Sequence, residues 1–446
     1  MKHSKRILLF GAGKSATVLI DYLKDQSARK NWLLIVADNN LAAVQAKLGD
    51  NPNTQAIQIN IENAGERKQL VADADIVISM MPPSLHFLIA VDCIEFSKNL
   101  LTASYTDSRI KELSSVIEEK GLLFLCEMGL DPGIDHMSAM KLIHVIEAKN
   151  GEIISFKSHC GGLVATENDD NPWHYKIRWN PRNVVLAGKA GALFKLNGES
   201  FEKPYSQIFD SKEQVTISGL GSLSYYPNRD SLSYIELYHL KNIQTFIRTT
   251  LRYPSFIAGW KKMIEWQLTD EDYVYQTKGL SIAKYYQIHF ERVGLKDQIS
   301  SIKNMASSDE HAASLIKQFE FLGLNDQQTI LPFDQGSAAD ILQFILENKL
   351  ALKPGEKDMV VMLHELEYII GDKLHRIESS LVTIGSDEQR TAMAKTVGLP
   401  LGIAAVLILE GKIKEKGLHI PIKPTIYLPV MEALENESIR FTETHY

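Results

Sequence analysis

The first forty residues carry the pattern that most constrains the fold of this chain. A short apolar strand at 6–10 is followed by the glycine-rich turn 11–17, a helix from Thr17 and a second strand from Trp32 that ends at Asp38. This order is typical of a dinucleotide-binding βαβ unit. The glycines let the backbone approach a pyrophosphate, which the N–H groups at the helix N-terminus bind.

The turn and the acidic residue also favour one cofactor over another. The turn contains Gly11, Ala12, Gly13, Lys14 and Ser15, and Ala16 or Thr17 replaces the third glycine of the full fingerprint. Asp38, about 25 residues further on, strengthens this partial match. A carboxylate there bonds the ribose hydroxyls and repels a 2′-phosphate, and Asn39 follows it rather than an arginine. We therefore expect NAD rather than NADP, with capping of the next helix as the alternative role of Asp38.

Strands and helices continue to alternate as far as residue 126. Apolar strands are predicted at 56–61, 74–80, 99–103 and 122–126, separated by helical segments. This alternation predicts an α/β fold with a Rossmann-type, doubly wound parallel sheet. Because parallel strands end at the same edge, Ser79, the Ser104-Tyr105 pair and the segment 127–129 should line one crevice.

The segment from Glu127 to His136 is the densest cluster of ionisable groups beside a strand end. It includes Asp131, Pro132, Gly133 and Asp135, and it follows the buried strand 122–126. Turns at the carboxyl ends of strands in open α/β sheets bind ligands. A helix start, with Asp131 as N-cap and Pro132 in the first helical position, is a compatible reading.

The remainder predicts a substrate domain with an inserted helical domain. Strands are expected at 153–160, ending at Gly161-Gly162, and at 220–226 and 245–253, with a hairpin around Gly371-Asp372. The predicted nucleotide domain covers 1–130 and is joined by a helix at about 389–414. A mixed α/β substrate and dimerisation domain is predicted at 131–254 and about 355–388. An all-α insertion is predicted at 255–354, with a loop at Ser307-Ser308, and a C-terminal tail at 415–446 is predicted to pack on the substrate domain.

A few residues outside the first domain could carry chemistry. Arg229 and Arg252 are placed to bind carboxylates through their planar guanidinium groups, although a surface salt bridge is the common role of an arginine. The general acid and base candidates are His136, His159, His174 and Asp131. The sequence shows no nucleophile with a base and an orienting group.

Composition excludes several classes of protein. The net charge is −7, without a long basic run, which argues against a nucleic-acid partner. Cys93, Cys126 and Cys160 lack metal-ligand spacing, so we predict no metal site. The apolar residues 7–10 are too few for a signal peptide, and 391–413 is predicted to be a buried helix rather than a membrane span. We expect a cytoplasmic protein without a membrane partner.

Several longer motifs resemble those of the saccharopine dehydrogenase family, of the glutamate-forming type. They are spread over the whole chain: Thr102-Ala103-Ser104-Tyr105, the turn 129–136, Cys160-Gly161-Gly162-Leu163, Asn171-Pro172, Tyr175-Lys176, Trp179, Tyr226-Pro227-Asn228-Arg229-Asp230-Ser231, Thr250-Leu251-Arg252-Tyr253 and Gly398-Leu399-Pro400. Asp38-Asn39 stands where the fungal biosynthetic enzymes have an arginine for a 2′-phosphate, so the chain looks more like the NAD-dependent, lysine-degrading type.

The resemblance implies a homodimer and a set of binding residues. Those implied to contact saccharopine are Ser104, Tyr105, Asp131, Asn180, Arg229, Thr250, Leu251 and Arg252, and of these Tyr105 and Asp131 are expected to be the catalytic residues. Asn180 replaces a residue that is commonly serine. Those implied to contact the nucleotide are Gly11 to Ser15, Asp38 to Asn40, Asn60, Ile61, Met81, Ala103, Ser104, Leu130, Asp131 and Pro132.

The implied reaction is oxidation of the secondary amine of saccharopine by NAD and water, giving glutamate and 2-aminoadipate 6-semialdehyde. One alternative is a related dehydrogenase for another carboxylated secondary amine such as carboxynorspermidine, which would need fewer arginines. A catalytically silent NAD-binding regulator is the alternative from another class. The presence of Tyr105, Asp131, Arg229 and Arg252 favours the saccharopine reaction.

Overall fold

The computed structural model describes residues 4–177, 179–305 and 309–446. The chain forms two compact units, one made of Met1–Ile153 with Tyr368–Tyr446 and the other of Ile154–Glu367. The loop predicted at Ser307-Ser308 lies outside the described residues.

The N-terminal part of the first unit alternates strands and helices, as predicted. Its elements are β1 (Arg6–Phe10), α1 (Thr17–Lys30), β2 (Leu33–Asp38), α2 (Leu41–Leu48), β3 (Thr54–Gln58), α3 (Ala64–Asp73), β4 (Ile76–Ser79), α4 (His86–Glu95), β5 (Asn99–Thr102), α5 (Ser108–Glu112), α6 (Ser114–Glu119), β6 (Leu123–Leu125) and α7 (Ile134–Glu147).

The second unit contains most of the mixed sheet and most of the remaining helices. Its elements are β7 (Glu152–Val164), α8 (Pro181–Val185), β8 (Ala192–Leu196), β9 (Glu199–Lys203), β10 (Gln214–Ile217), β11 (Gly221–Pro227), β12 (Arg229–Asp230), α9 (Ser233–Leu237), β13 (Thr245–Arg252), α10 (Pro254–Glu265), β14 (Val274–Gln276), α11 (Ile282–Arg292), α12 (Lys296–Met305), α13 (Glu310–Phe321), β15 (Gln335–Ser337), α14 (Ala338–Lys349) and β16 (Asp358–Ile370).

The C-terminal part returns to the first unit. Its elements are β17 (Lys373–Ile384), α15 (Ala392–Leu409), β18 (Gly417–His419), α16 (Pro424–Asn436) and β19 (Thr442–His445). Gly371, with φ 59°, and Asp372 form the turn between β16 and β17, at the predicted hairpin position. β17 pairs antiparallel with β19.

A doubly wound parallel sheet organises the first unit, which confirms the predicted fold class. Among the described residues seven strands lie in the order β18-β6-β5-β4-β1-β2-β3, and all neighbours are parallel. The strand order reverses between β1 and β4, so their carboxyl ends flank the crevice where ligands bind in such folds. Leu8, Phe10, Ile35, Val77 and Leu100 belong to the apolar core beneath this edge.

Three of the predicted domain limits need correction. Residues 368–388, which we expected in the substrate domain, belong to the first unit, and two further segments also differ. The tail residues Gly417–His419 pair with β6 and extend the nucleotide sheet, whereas we expected them to pack on the substrate domain. Residues 131–153 belong to the first unit because α7 packs against α16 there. Both differences arise from contacts between segments that lie far apart in sequence. The division into nucleotide, substrate and helical domains stays a prediction.

The apolar segment predicted as a buried helix forms α15. Within the described residues, it is the one helix long and apolar enough to cross a membrane by length and composition, and 72% of it is buried inside the protein. It packs against α1 and α16, and Gly398 and Gly402 face Leu19 and Tyr22 of α1. The helix thus covers one face of the parallel sheet.

In the second unit, the central strands follow the order β10-β11-β13-β7-β16. β13 is parallel to β7 and antiparallel to β11. We expected β7 to end at Gly161-Gly162, but this strand continues to Val164. A Cβ on Gly161 would lie 2.6 Å from Cβ of Leu251, so this glycine permits close approach of β13 instead of ending the strand.

Where the structure describes it, the region expected to be all-α is helical apart from one small sheet. β14 and β15 form a small antiparallel sheet between α10 and α14. The helices of this region share an aromatic core with Trp173, which precedes them in the sequence. Trp260, Trp266 and Phe319 belong to this core, and the ring centroids of Trp266 and Phe319 are 4.4 Å apart.

Replacing Gly398 with alanine should destabilise the first unit. The new Cβ would lie 2.9 Å from Cβ and 3.0 Å from the backbone nitrogen of Leu19, so α1 and α15 would have to separate. We expect a loss of about 1–3 kcal/mol of unfolding free energy, measured by urea denaturation. Gly65→Ala is the matched control, because its Cβ would meet Asn63 at an ordinary 3.5 Å. Equal midpoints for the two variants would contradict this packing argument.

Candidate functional site

The glycine turn lies at the carboxyl end of β1, where the strand order reverses. Gly11 has φ 97°, and a Cβ there would lie 2.9 Å from the carbonyl oxygen of Met80, so the turn requires glycine. A Cβ on Gly13 would meet nothing within 4 Å, so the outer side of the turn is open. Lys14 is exposed and Ser15 half-buried, just before α1. Open backbone at a helix N-terminus fits the phosphates of a dinucleotide.

Asp38 joins the end of β2 to this turn. Its Oδ2 accepts a hydrogen bond from the Ala12 N–H at 2.7 Å, and its Oδ1 accepts one from the Asn40 N–H at 2.9 Å. The alternative in which Asp38 caps the next helix is wrong, because Asn40 is the N-cap of α2 and accepts from the Ala43 N–H. Each carboxylate oxygen keeps a second lone pair, so the residue fits a ribose diol.

The other predicted nucleotide residues follow the ends of neighbouring strands. Asn39 and Asn60 are exposed, Ile61 is buried and Met81 is half-buried. Asn60 Oδ1 accepts from the Glu62 N–H at 3.1 Å, while the carbonyl of Asn39 accepts from Gln58 Nε2 at 3.2 Å. All four lie at the predicted edge, and their contacts with a nucleotide stay predictions.

The structure brings the segment after β5 against the turn after β6, as the strand pattern predicted. The carbonyl of Ser104 accepts from the Glu127 N–H at 3.1 Å, and that of Thr102 accepts from the Met128 N–H at 3.0 Å. The Tyr105 hydroxyl donates to Asp131 Oδ1 at 3.3 Å. Ala103 packs beside Gly129: a Cβ added to Gly129 would lie 3.2 Å from the Cβ of Ala103. Tyr105 and Asp131 thus form one polar group, half-buried at this edge.

The predicted helix start is wrong by two residues. α7 begins at Ile134 with Gly133 as its N-cap, so Asp131 and Pro132 precede the helix and are joined by a cis peptide bond. Gly133 has φ 148°, and an added Cβ would lie 2.1 Å from the Gly129 carbonyl. The turn therefore folds back on itself, with Leu130 and Pro132 buried and Asp131 half-buried.

Glu127 and His136 form a buried pair beneath this turn. Glu127 Oε2 lies 3.0 Å from His136 Nε2, and Oε1 accepts from the backbone and the hydroxyl of Thr106 at 3.1 and 3.0 Å. Burial opposes ionisation, but the bonds from His136 and Thr106 hold the pKa of Glu127 below its ordinary value. Glu127 therefore anchors the Tyr105-Thr106 segment, which makes Asp131 the better placed carboxylate for a ligand.

His86 belongs to this site but was missed from the sequence. Its Nδ1 lies 2.7 Å from Ser79 Oγ and its Nε2 lies 2.9 Å from Ser104 Oγ. Burial lowers the pKa of His86 to about 4. A histidine opening an apolar helix next to a strand end was the available signal, but nothing in the sequence pairs it with Ser104.

In the second unit, Arg252 is a buried cation. Its side chain is 7% exposed, and its guanidinium lies 5.1 Å from the ring centroid of Tyr175 and 5.4 Å from that of Phe256. Nη1 donates to the Leu251 carbonyl at 2.7 Å, whereas Nε has no hydrogen-bond partner among the described residues. Within the part of the chain that the structure describes, no carboxylate forms an ion pair with it.

The other predicted substrate residues of this unit differ in their surroundings. Arg229 is exposed with φ 54°, and Thr250 is half-buried. Asn180 is exposed and caps α8 by accepting from the Arg182 N–H at 3.0 Å. The side chain of Leu251 is fully buried in an apolar cluster, on the opposite side of β13 from Thr250 and Arg252. Any contact of Leu251 with a ligand would have to involve its backbone.

The remaining acid and base candidates are less suited to proton transfer. His136 and His159 are fully buried, and His159 lies between Thr249 Oγ1 at 2.7 Å and Glu365 Oε2 at 3.0 Å. His174 is exposed over 44% of its side chain and lies 2.6 Å from Asp169 Oδ2. The surroundings of His136 and His159 are therefore those of structural histidines.

Metal ligands and cysteines give no further site. The described residues contain no group of three or more His, Cys, Asp or Glu side chains that could hold a metal ion. Cys93, Cys126 and Cys160 are free and buried, and burial raises the pKa of Cys126 to about 12.

Known proteins resemble this chain over its full length. Residues 7–125 match the family model described as "Saccharopine dehydrogenase NADP binding domain". The saccharopine dehydrogenase [NADP(+), L-glutamate-forming] of Saccharomyces cerevisiae is 33% identical over 97% of each chain. The alpha-aminoadipic semialdehyde synthase of Arabidopsis thaliana is 31% identical over 99% of this chain and 45% of its own, so this chain spans about half of that relative.

A solved structure agrees with these sequence matches. The apo saccharopine dehydrogenase (L-Glu forming) from Saccharomyces cerevisiae has a TM-score of 0.89 and 31% identity, covering 99% of this chain and 100% of its own. Residues 129–439 match the family model described as "Saccharopine dehydrogenase C-terminal domain". The chain therefore belongs to the saccharopine dehydrogenase family.

Proposed function

We propose that this protein oxidises the secondary amine of saccharopine, with NAD as the hydride acceptor, and that water hydrolyses the resulting imine to glutamate and 2-aminoadipate 6-semialdehyde. The relatives named as L-glutamate-forming support this reaction. The observation that carries the proposal is the buried guanidinium of Arg252. We propose that the reaction serves lysine degradation, while a homodimer and a cytoplasmic location stay predictions.

Arg252 supports a carboxylate substrate on physical grounds. A guanidinium taken out of water needs an opposite charge or a full set of hydrogen-bond acceptors. Its aromatic neighbours Tyr175 and Phe256 stabilise the cation by stacking but accept no hydrogen bond in the plane of the guanidinium. A substrate carboxylate would supply two acceptors in that plane. Saccharopine carries three carboxylates, and we propose that Arg252 and Arg229 each bind one.

The residues of the first unit are proposed to hold and orient the amine. We propose that Asp131 pairs with a substrate ammonium and that Tyr105, which donates to Asp131, positions the secondary amine. This amine must lose its proton before hydride can leave. Asp131, acting through a water molecule, remains a candidate base, whereas the buried surroundings of His136 and His159 argue against them. NAD, when bound, accepts the hydride from the lysine-derived carbon.

Asp38 supports NAD rather than NADP as the cofactor. The name of the family model and that of the yeast relative contain NADP, so the preference is a proposal about this chain. The Asp38 carboxylate is held by two backbone N–H groups of the first unit, at 2.7 and 2.9 Å. A charge fixed at this position would repel a 2′-phosphate while accepting bonds from ribose hydroxyls.

Purified protein mixed with saccharopine should reduce NAD faster than NADP. The assay follows the absorbance of the reduced nicotinamide. Asp38→Asn removes the charge and keeps one acceptor oxygen, so one of the two backbone bonds remains, and we expect the ratio of kcat/KM for NAD over NADP to fall about 10-fold or more. Glu62→Gln, an exposed carboxylate in the same unit, should leave the ratio unchanged. Absence of turnover with both nucleotides would refute the reaction, and a faster rate with NADP would refute the role of Asp38.

Arg252→Ala should raise the KM for saccharopine about 10- to 100-fold, because a charge-assisted bond to a carboxylate is lost. The Kd for NAD should stay within about 2-fold, since the proposed contact involves the substrate alone. Steady-state kinetics and NAD titration measure the two constants. Arg252→Lys should give an intermediate KM, because lysine keeps the charge but loses the planar fork.

The control for this variant is another arginine stacked on aromatic rings. Arg292 lies 4.3 Å from the Tyr273 centroid and donates from Nε to the Tyr275 hydroxyl at 2.7 Å. Arg292→Ala should cost stability without raising the KM. If both variants raise the KM equally, Arg252 acts through the fold and the carboxylate contact is refuted.

A further inference from the structure

His86 connects the carboxyl ends of two strands of the parallel sheet. Ser79 is the last residue of β4, and Ser104 follows β5. The ring of His86, at the start of α4 and 2% exposed, has one of these hydroxyls at each nitrogen, at 2.7 Å and 2.9 Å. The three side chains form a chain of hydrogen bonds that leads from the buried sheet to the half-buried Ser104.

The burial of Ser79 determines the direction of these bonds. Ser79 is fully buried, and in the described part of the chain its hydroxyl has Nδ1 of His86 as its sole hydrogen-bond partner. A buried hydroxyl that donates to nothing is costly. Ser79 therefore donates to Nδ1, which must be the unprotonated nitrogen, and Nε2 carries the hydrogen of a neutral ring. Nε2 then donates to Ser104 Oγ.

The neutral state of the ring is secured by its surroundings. Burial lowers the pKa of His86 to about 4, although the charge of Asp107 acts in the opposite direction. Above this pH the ring has one donor and one acceptor, so the direction of the chain is fixed. With Nε2 donating to it, the hydroxyl hydrogen of Ser104 is directed away from His86.

We propose that His86 is a positioning residue that presents the Ser104 hydroxyl as a hydrogen-bond donor to an acceptor oxygen of the bound ligands. The inference rests on the proposed function and on the expectation, implied by the family resemblance, that Ser104 contacts both nucleotide and substrate. The matching chemistry is a carbonyl or carboxylate oxygen, supplied by the nicotinamide carboxamide or by the amino-acid substrate. An ammonium group does not fit, because it has no lone pair to accept the bond.

The direction of the chain can be measured without any ligand. Two-dimensional ¹H–¹⁵N spectra of the histidine rings distinguish the two neutral forms and the charged form. We expect His86, assigned by its absence in His86→Gln, to carry its hydrogen on Nε2 and to stay neutral from pH 8 down to about pH 5. A hydrogen on Nδ1, or a charged ring at neutral pH, would overturn the proposal. Should His86→Gln fail to fold, the ring signal that shifts in Ser104→Ala gives the assignment instead.

Two substitutions separate the two halves of the ring. Gln can place an amide near the position of Nε2 and still donate to Ser104, whereas Asn reaches Ser79 but not Ser104. We expect His86→Asn to weaken ligand binding about 3- to 10-fold, the effect of one neutral hydrogen bond, and His86→Gln to remain within about 2-fold of the unchanged protein. His144→Asn changes a half-buried histidine of the same unit outside the proposed site, and this control should leave the Kd for NAD and the Kd for saccharopine unchanged.

Calorimetry identifies which ligand supplies the acceptor oxygen. The Kd for NAD is measured first, and the Kd for saccharopine is then measured with reduced nucleotide present, so neither needs turnover. Weaker NAD binding by His86→Asn assigns the oxygen to the cofactor, and weaker saccharopine binding assigns it to the substrate. If His86→Asn and His86→Gln match in both constants, the proposal is overturned. If the wild-type protein shows no turnover, the proposed function is refuted, but both Kd values can still be measured and still test the role of His86.

A double-mutant cycle tests whether His86 acts through Ser104. In a Ser104→Ala background the hydroxyl is gone, so His86→Asn should weaken binding no further. A purely structural role of His86 would weaken binding equally in both backgrounds. Additive effects would therefore overturn the positioning role.

Discussion

The parallel pairing of β1 with β2 on one side and β4 on the other is the constraint on which the first unit depends. Leu9 is opposite both Val36 and Ile78, so three separate segments must end at the same edge of the sheet. Gly11 makes this possible where the strands end, because the carbonyl of Met80 occupies the space of a side chain. The polar residues that follow these strands are collected at one edge as a consequence of strand direction, before any of them contacts another.

Glu127 and Asp131, two carboxylates at this edge, differ in their burial and in their hydrogen-bond partners. Glu127 is satisfied by His136 and by both donors of Thr106, which hold it ionised in a buried place. Asp131 lies in the same turn, with Tyr105 as a neighbour and a half-buried position. Removing the acceptors of Glu127 would loosen the segment that carries Tyr105, so this buried pair supports the site without contacting a ligand itself.

The sequence predicted those features that depend on local periodicity. The glycine turn, the alternating strands and the acid after β2 could be found because each signal lies within a few residues. The pairing of β18 with β6 could not, because it joins residues 417–419 to residues 123–125 through contacts that no local pattern records. The continuation of β7 past Gly161 and the link from His86 to Ser104 have the same origin. Gly161 was interpreted as the end of a strand, but a glycine is needed at this position because β13 lies too close for a side chain.

Lys47 bears on the choice between the two nucleotides. The charge of Asp38 acts on Lys47, and the Lys47 ammonium is of the right sign to attract a 2′-phosphate. However, its Nζ already donates to the carbonyls of Ala12 and Gly13 at 2.7 and 2.6 Å. Burial also lowers its pKa, although Asp38 opposes this effect. Binding a phosphate would require Lys47 to leave two acceptors of the glycine turn, and Asp38 would still repel the added charge. Since both effects disfavour the phosphate, we infer that the nearby lysine stabilises the turn and does not oppose the proposed preference for NAD.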